Sequence, residues 1–320
     1  MHHLLHLRVR GLGLLAAALA LGAHVSSCTC AHKCASGQST SSAQQTAAVA
    51  GYHATTPRPG EDLPWEMHDT RTSGPPVLLL HDILGPRPAC LALGRQISAL
   101  PQHYRVYVPV LYGQLGCESK SSFISSLFVN RPGWDFRAKN QDQPALPDLQ
   151  RLCAALSARH NGRRVIVIGN CATGGIAVAL LGSPHVCGAI ISQPALPYSF
   201  NTSGRRSLDV SPATLQQAVR RSATLPEPAL LGFRFYRDPV CTEHRFERLR
   251  SEFGSSFASV ELCDFRRHEQ DKLPASARAI RTANSKEHTV LIPKEGKPQP
   301  AHHLEVFAQV KKFLAQHSEE

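Results

Sequence analysis

The sequence of 320 residues lacks several patterns that mark common classes of protein. No segment repeats along the chain, which excludes a solenoid or a propeller built from recurring units. The cysteines form no CxxC pairs, so neither a zinc site nor a clustered disulfide framework is indicated. The apolar run Gly11–Ala23 is too short to cross a bilayer as a helix. A hydrophobic content of 42% still supports a real core, in one large domain or two smaller ones.

The basic residues also lack the clustering that a nucleic-acid interface needs. The formal net charge is +11, but the arginines stand in scattered pairs at Arg163–Arg164, Arg205–Arg206 and Arg220–Arg221. A nucleic-acid-binding domain would combine a basic face with a recognition motif, and neither is visible. The charge is therefore attributed to a solvated basic surface, and no nucleic-acid partner is expected.

The N-terminal segment has the pattern of an export signal. Arg8 and Arg10 precede the apolar run, which ends in Val-Ser-Ser followed by Cys28. This ending resembles a bacterial lipobox, in which the cysteine is lipidated and becomes the mature N-terminus. Residues 1–27 are thus predicted to be a lipoprotein signal peptide, with export and lipid anchoring at a bacterial membrane through Cys28. An ordinary signal peptide beside a nearby cysteine is the alternative.

The segment that follows the signal is expected to be a tether. Residues 28–59 are rich in Ser, Thr, Ala, Gln and His and show no apolar period, which is typical of a flexible linker. Cys30 and Cys34 could pair with each other in an oxidising compartment, although no pattern requires it. Residues 60–320 are predicted to form the folded domain.

Strand and helix patterns alternate along this domain. Apolar, often β-branched runs predict strands at Val77–Leu80, Val106–Val110, Val165–Ile168, Cys187–Ser192, Ala229–Phe235 and Ser259–Phe265. Helices are predicted at Ala92–Leu100, Leu146–Ala158, Ile176–Leu181, Glu243–Phe253 and Leu304–Gln316. The polar segment 194–228 is expected to be irregular, with one short helix near Ala213–Arg221. The alternation predicts an α/β fold with a mostly parallel central sheet and helices on both faces.

One strand-to-helix turn has the pattern of a nucleophile elbow, in the stretch VIVIGNCATGGIAVAL. Such a turn exposes one side chain above the sheet and needs glycines around it. Gly169 and Cys171 fit the G-x-nucleophile-x-G pattern, but Thr173 stands at the fifth position and the glycines follow one step later. A buried cysteine that serves only as a small hydrophobic residue is the alternative interpretation of Cys171.

The sequence from about Val77 to Leu314 resembles the dienelactone hydrolase family of α/β-hydrolases. The blocks that carry the resemblance are VLLLHDILG, GNCATGG, LLGFRFYRDPVCTEHRFERLRSEFG and EHTVLI. The resemblance implies a triad of Cys171 as nucleophile, Asp238 as acid and His288 as base, which is the chain order of this fold. His302 and His303, just before the last helix, remain alternative candidates for the base.

Other residues receive roles from this comparison. In such a fold the backbone N–H groups of Ala172 and Ile83 would bind an oxyanion. The family usually has Glu where this chain has Asp82, and the resemblance implies that this carboxylate controls the resting thiol. Because Asp is one methylene shorter, the alternative is a loop residue that caps local amides. Arg131 and Arg234 could meet a substrate carboxylate, although surface ion pairs are the simpler interpretation.

These features together predict a hydrolase of carboxylic esters or small lactones that acts through an acyl-thioester. The partners expected are the small-molecule substrate and the lipid anchor, with no metal or other cofactor and a monomeric chain. The alternative function is a catalytically inactive lipoprotein that binds a ligand or partner. The long segment 194–228, which would shape the pocket, carries no motif that names the natural substrate.

Overall fold

The structure is a computed structural model, and it describes residue 46 and the ranges 49–57, 62–117, 139–197, 202–264, 273–274, 277–292 and 300–318. The chain divides into Met1–Ala35 and Ser36–Glu320, and every described residue belongs to the second unit. The candidate residues Cys28 and Arg131 lie outside the described ranges.

A single sheet organises the described residues. Its nine strands are β1 (His53–Ala54), β2 (Met67–Asp69), β3 (Pro76–Leu80), β4 (Arg105–Pro109), β5 (Val165–Asn170), β6 (Val186–Ser192), β7 (Leu230–Phe235), β8 (Phe257–Cys263) and β9 (Ala277–Arg281). Across the sheet they lie in the order β1-β2-β4-β3-β5-β6-β7-β8-β9. The strands from β4 to β9 in this order pair in parallel, whereas β2 pairs antiparallel with both β4 and β1.

Side-chain alternation divides the core into two layers. In β3, Leu78 and Leu80 face one hydrophobic cluster, while Val77 and Leu79 face the other. Because both faces of a central parallel strand are covered, such strands are apolar throughout rather than alternately polar. This explains why the strand runs in the sequence look continuous.

Seven helices cover the sheet in the described part of the chain. They are α1 (Pro88–Ser98), α2 (Leu146–Arg159), α3 (Gly174–Leu180), α4 (Thr202–Arg206), α5 (Pro212–Ser222), α6 (Glu243–Phe253) and α7 (His303–His317). Helices α2, α3, α5 and α6 contribute apolar residues to one cluster, and α1 and α7 contribute to the other. The predicted three-layer α/β architecture, that of the α/β-hydrolase fold, is confirmed.

The edges of the sheet differ from the prediction. Strands β1, β2 and β9 were not expected, because β1 and β2 have only two and three residues and the apolar residues of β9 are interrupted by arginines. Tyr52 is buried and its hydroxyl donates to the Leu91 carbonyl at 3.2 Å. The folded unit therefore begins before residue 60, so part of the segment predicted to be a tether, residues 28–59, is folded.

The segment between β6 and β7 contains more helix than expected. Both α4 and α5 lie in it, and Ser211 caps α5 by accepting a hydrogen bond from the Thr214 N–H at 3.2 Å. Such a side-chain acceptor satisfies one of the free amides at a helix start.

None of the helices in the described ranges is long and apolar enough to span a membrane.

Candidate active site

The carboxyl ends of the central parallel strands meet at one edge of the sheet, and Cys171 lies there at the end of β5. Cys171 has a positive φ of 51°, starts a short 3-10 helix at Cys171–Thr173, and is partly exposed. A left-handed conformation at a non-glycine residue costs about 1 kcal/mol or more and persists only where its surroundings enforce it. The Cys171 carbonyl accepts a hydrogen bond from the Ala195 N–H at 2.9 Å, which fixes the turn. The elbow predicted from the sequence is present.

Glycines are required on both sides of this turn because other chain segments approach it closely. A Cβ at Gly169 would lie 2.5 Å from the Thr173 carbonyl oxygen. A Cβ at Gly174 would lie 2.7 Å from Pro194, and one at Gly175 would lie 1.6 Å from the Asp209 carboxylate. The two glycines after Thr173 therefore make room for the segments that follow β6 and that flank α5.

Thr173, which departs from the usual elbow pattern, joins the elbow to the end of β3. Its Oγ1 accepts a hydrogen bond from the Asn170 N–H at 2.8 Å and lies 3.2 Å from the His81 carbonyl oxygen. The side-chain amide of Asn170 donates to the Leu80 carbonyl at 3.0 Å. A threonine here thus fixes the position of the loop after β3 relative to the nucleophile, which a glycine could not do.

The structure brings the three residues predicted as a triad together. His288 Nε2 lies 3.3 Å from Cys171 Sγ, and His288 Nδ1 lies 2.6 Å from Asp238 Oδ2. The second oxygen of Asp238 accepts hydrogen bonds from the N–H groups of Val240 and Cys241, at 2.8 and 3.0 Å. The Asp238 side chain is fully buried, whereas that of His288 is 24% exposed. This is the arrangement of nucleophile, base and orienting carboxylate that covalent catalysis requires.

The electrostatics of the site favour a protonated His288. Burial by itself lowers the pKa of this histidine, but negative charge at Cys171 and the hydrogen bond to Asp238 outweigh it and raise the pKa to about 10. A protonated His288 ring would lie between the Asp238 carboxyl group and the Cys171 sulfur. Since the thiolate is the attacking form of cysteine, a cation beside the sulfur is the partner that would stabilise it.

The two alternative histidines lie in the core beside α7. His302 packs edge-on against Phe235 with ring centres 5.6 Å apart, and His303 stacks on Phe307 at 6.0 Å. Burial lowers the pKa of both rings. Neither makes a hydrogen bond to Cys171 among the described residues, so His288 is the candidate histidine that lies beside the thiol.

Asp82 points to different partners from those expected. Its Oδ2 accepts hydrogen bonds from Arg87 Nη2 and Nε at 2.8 and 3.2 Å, and its Oδ1 accepts one from the Leu84 N–H at 2.9 Å. Arg87 also donates to the Ile292 carbonyl at 3.3 Å, on the segment that follows His288. Of the two interpretations left open by the sequence, these contacts match the loop residue that caps a local amide, and they do not include the thiol. Through Arg87, Asp82 also joins the two segments that flank the site.

The predicted oxyanion donors have suitable local surroundings. Ala172 lies in the first turn of the 3-10 helix, where backbone N–H groups have no acceptor within the helix. Ile83 lies three residues beyond the end of β3, and its N–H makes no hydrogen bond to the described part of the chain. Their role in binding an oxyanion stays a prediction.

Sequence reasoning missed Gln193, which connects the end of β6 to the histidine segment. Gln193 has a positive φ of 47° and is 2% exposed. Its Oε1 accepts hydrogen bonds from the Val290 N–H at 2.7 Å and from the Ser192 hydroxyl at 2.6 Å. Gln193 therefore holds the backbone two residues beyond His288. A polar residue directly after a buried parallel strand is the signal that could have found it.

Sequence reasoning also missed Arg245, a buried cation on α6. Its Nε donates to the Ser207 carbonyl and its Nη2 to the Pro197 carbonyl, each at 3.1 Å. Burial lowers the pKa of this guanidinium, and the charges of Asp209 and Asp238 are among those that oppose the effect. Arg245 thus fixes the segment between β6 and α5 around the site. Nothing in the charged sequence of α6 distinguishes it from its exposed neighbours.

The other arginine considered for substrate binding has a different role. Arg234 is 1% exposed and its Nη2 lies 2.6 Å from the buried carboxylate of Glu261 on the neighbouring strand. This ion pair is buried between neighbouring strands. The expectation that Arg234 contacts a substrate is therefore wrong, and so is the alternative that Arg234 forms an ion pair on the surface. Among the described residues, no three His, Cys, Asp or Glu side chains are grouped to hold a metal ion.

The chain thus has the α/β-hydrolase fold, with Cys171 at the elbow between β5 and the helix that follows. No protein-family model matches the chain, and no curated protein sequence matches it. Solved structures do match. A lipase candidate, Lip1, from Acinetobacter baumannii AYE is 12% identical with a TM-score of 0.49, over 89% of this chain and 100% of that one.

Two further solved structures resemble the chain at a comparable level. The monoacylglycerol lipase of Paleococcus ferrophilus is 12% identical with a TM-score of 0.47, over 80% of this chain and 100% of that one. TT1662 from Thermus thermophilus is 14% identical with a TM-score of 0.44, over 82% and 98% of the two chains. Similarity at this level assigns no activity, which has to be argued from the site.

Proposed function

We propose that this protein hydrolyses carboxylic esters or small lactones through an acyl-thioester on Cys171. The observation that carries the proposal is the continuous contact from Cys171 Sγ to His288 Nε2 at 3.3 Å and from His288 Nδ1 to Asp238 Oδ2 at 2.6 Å. A thiol that serves only as core packing needs no imidazole beside it, and the imidazole needs no buried carboxylate behind it. Lactones are included because the sequence blocks resemble those of the dienelactone hydrolase family.

The geometry supports a two-step mechanism. The Cys171 thiolate attacks the carbonyl carbon, and the N–H groups of Ala172 and Ile83 receive the oxyanion that forms. The His288 imidazolium then protonates the departing alkoxide, and the acyl group remains on sulfur. Neutral His288 next takes a proton from water, which attacks the thioester and releases the acid and the Cys171 thiolate. Asp238 keeps the ring oriented through both steps.

The test is a chromogenic short-chain ester and a small lactone supplied to the purified full chain. We expect turnover with both, loss of turnover in Cys171→Ala, and full retention in Cys153→Ala, which changes a buried thiol of α2. Mass spectrometry of the enzyme mixed with a slow ester should detect an acyl adduct on the peptide that contains Cys171. Absence of turnover and adduct in the folded parent chain would refute the hydrolase proposal and favour a ligand-binding lipoprotein.

We also propose that the chain is exported and anchored to a bacterial membrane through a lipid on Cys28. The support is the basic start, the short apolar run and the Val-Ser-Ser-Cys ending in the sequence. Expressed in a bacterium, Cys28→Ser should leave the membrane fraction and lose incorporation of a labelled fatty acid, while Cys30→Ser retains both. Unchanged labelling of Cys28→Ser would exclude this anchor.

A further inference from the structure

A cavity opens at the edge of the sheet opposite Cys171. Its volume is about 460 Å³, and its lining includes Thr72, Ser73, Arg105, Arg159, His160 and Arg163. Arg105 begins β4, Ser73 shortly precedes β3 and Arg163 shortly precedes β5. Because these three strands are parallel, their starting ends share one edge of the sheet. The cavity and the candidate active site are therefore separated by the length of the strands.

The lining of this cavity is basic. It contains three arginines and no carboxylate. Arg105 Nε lies 2.8 Å from Oδ1 of Asp69, a buried carboxylate behind the cavity that also accepts hydrogen bonds from the Thr55 hydroxyl and the Arg71 N–H. The guanidinium of Arg163 is exposed and makes no hydrogen bond or ion pair within the described residues. At least one planar set of donors is thus available to a ligand.

His160 lies among the arginines that line the cavity. Burial first, and then the charges of Arg105 and Arg163, lower the pKa of this histidine to about 4. Its ring is therefore neutral at physiological pH, and its Nε2 lies 2.8 Å from the Tyr107 hydroxyl. The nearby carboxylate of Asp69 acts in the opposite direction but does not cancel the arginines. An anion is the ligand that would relieve this repulsion.

We propose that this cavity binds a phosphate group, either of a soluble phosphate compound or of a lipid headgroup. Guanidinium groups match phosphate oxygens with two parallel hydrogen bonds, and several positive charges suit a dianion better than a single carboxylate. The volume exceeds what inorganic phosphate needs, so an organic group attached to the phosphate can enter. The proposal does not depend on ester hydrolysis, since the cavity lies at the other edge of the sheet.

The first experiment titrates the full chain with inorganic phosphate and follows the histidine resonances by NMR, with the His160 signal assigned from His160→Gln. Bound phosphate adds negative charge beside the ring, so the pKa of His160 should rise in a saturable way. Chloride at the same ionic strength should leave it unchanged. Phosphate that produces no saturable change would contradict binding of the free anion.

The second experiment compares Arg163→Gln with Arg220→Gln. Both variants lose one exposed arginine, but Arg220 lies on α5, away from the cavity. Losing a charged hydrogen-bond donor should weaken phosphate binding about tenfold in Arg163→Gln and leave it unchanged in Arg220→Gln. Equal effects of the two substitutions would show attraction by net charge alone and would overturn the site.

Vesicle sedimentation distinguishes the two sources of phosphate. The full-length Cys28→Ser chain is used so that acylation cannot contribute to binding. Binding to phosphatidylglycerol vesicles but not to phosphatidylcholine vesicles, lost on adding Arg163→Gln, would identify a lipid headgroup. Binding of free phosphate without vesicle binding would identify a soluble ligand. The proposal is overturned if neither phosphate nor anionic vesicles bind in a manner that depends on Arg163.

Discussion

Cys171 and Cys153 are the same residue type in two contrasting regions of one domain. Cys153 lies on α2, fully buried in the hydrophobic cluster, and burial raises the pKa of its thiol to about 12. Cys171 ends a strand in a left-handed conformation, is partly exposed, and has an imidazole 3.3 Å from its sulfur. The proposed mechanism therefore attributes reactivity at Cys171 to the turn that exposes the thiol and to the imidazole beside it, whereas burial disfavours the thiolate of Cys153.

The largest effect is expected when each of these two cysteines is replaced by alanine and the two variants are compared. Cys171→Ala should lower kcat for ester hydrolysis by about 10⁶-fold, as loss of a covalent nucleophile does in other triad enzymes. Cys153→Ala should leave kcat unchanged and lower only thermal stability, since it removes buried volume. Steady-state kinetics with circular dichroism as a folding control measure both. Equal activity of the two variants would contradict the claim that Cys171, unlike Cys153, takes part in ester hydrolysis.

The histidines provide the next comparison. His288→Ala should reduce kcat nearly as far as loss of the nucleophile, because Cys171 would lose the base that holds its proton. His303→Ala removes a ring that packs on Phe307 and should retain most activity. Single-turnover kinetics on both variants test this. If His303→Ala were inactive and His288→Ala were active, the role of the base would have to be assigned to His303.

Asp238→Asn should lower kcat by about 10⁴-fold without unfolding the chain, as comparable changes in a triad acid do. It should also shift the pH profile. The pKa of His288 is raised to about 10, so activity that needs the imidazolium should fall as the pH rises through that value. Losing the charge of Asp238 removes one cause of the raised pKa, so this alkaline limb should move to lower pH. An unmoved limb would indicate that another group titrates there.

The smallest effect expected concerns Gln193. Gln193→Leu removes the acceptor for the Val290 N–H and should loosen the segment that carries His288. We expect kcat to fall by about tenfold, with KM little changed, since one buried hydrogen bond to the backbone is lost. Gln217→Leu, which removes a hydrogen bond from α5 to the Gly182 carbonyl, is the matched control. A similar loss of kcat in both variants would reduce Gln193 to a general stability role.

The layered fold and the grouping of Cys171, Asp238 and His288 could be predicted from the sequence because both depend on local patterns. Buried parallel strands such as β3 and β5 appear as continuous apolar runs, and the elbow needs glycines at fixed positions next to Cys171. The family-like blocks then indicated Asp238 and His288, which lie in the segments that follow β7 and β9. Each of these signals lies within a few neighbouring residues.

The remaining features depend on contacts between distant segments, which no local pattern encodes. For Asp82 the sequence left control of the thiol and capping of local amides open, and the Arg87 side chain that binds Asp82 also reaches the distant Ile292 carbonyl. The pairing of β1 with β2 and the basic cavity that joins Arg105 to Arg163 arise only when separate segments meet at an edge of the sheet. Scattered basic pairs in the sequence therefore concealed a local concentration of charge.

The most direct test of the central claim is the rate at which iodoacetamide alkylates each cysteine of the native full chain as a function of pH. Peptide mass spectrometry resolves Cys171 from Cys153. We predict that Cys171 reacts far faster than Cys153 and stays reactive at mildly acidic pH. In His288→Ala its rate should rise with pH as for an ordinary thiol. Alkylation of Cys171 that is no faster than that of Cys153, or a pH dependence unchanged in His288→Ala, would contradict an imidazolium–thiolate pair at this site.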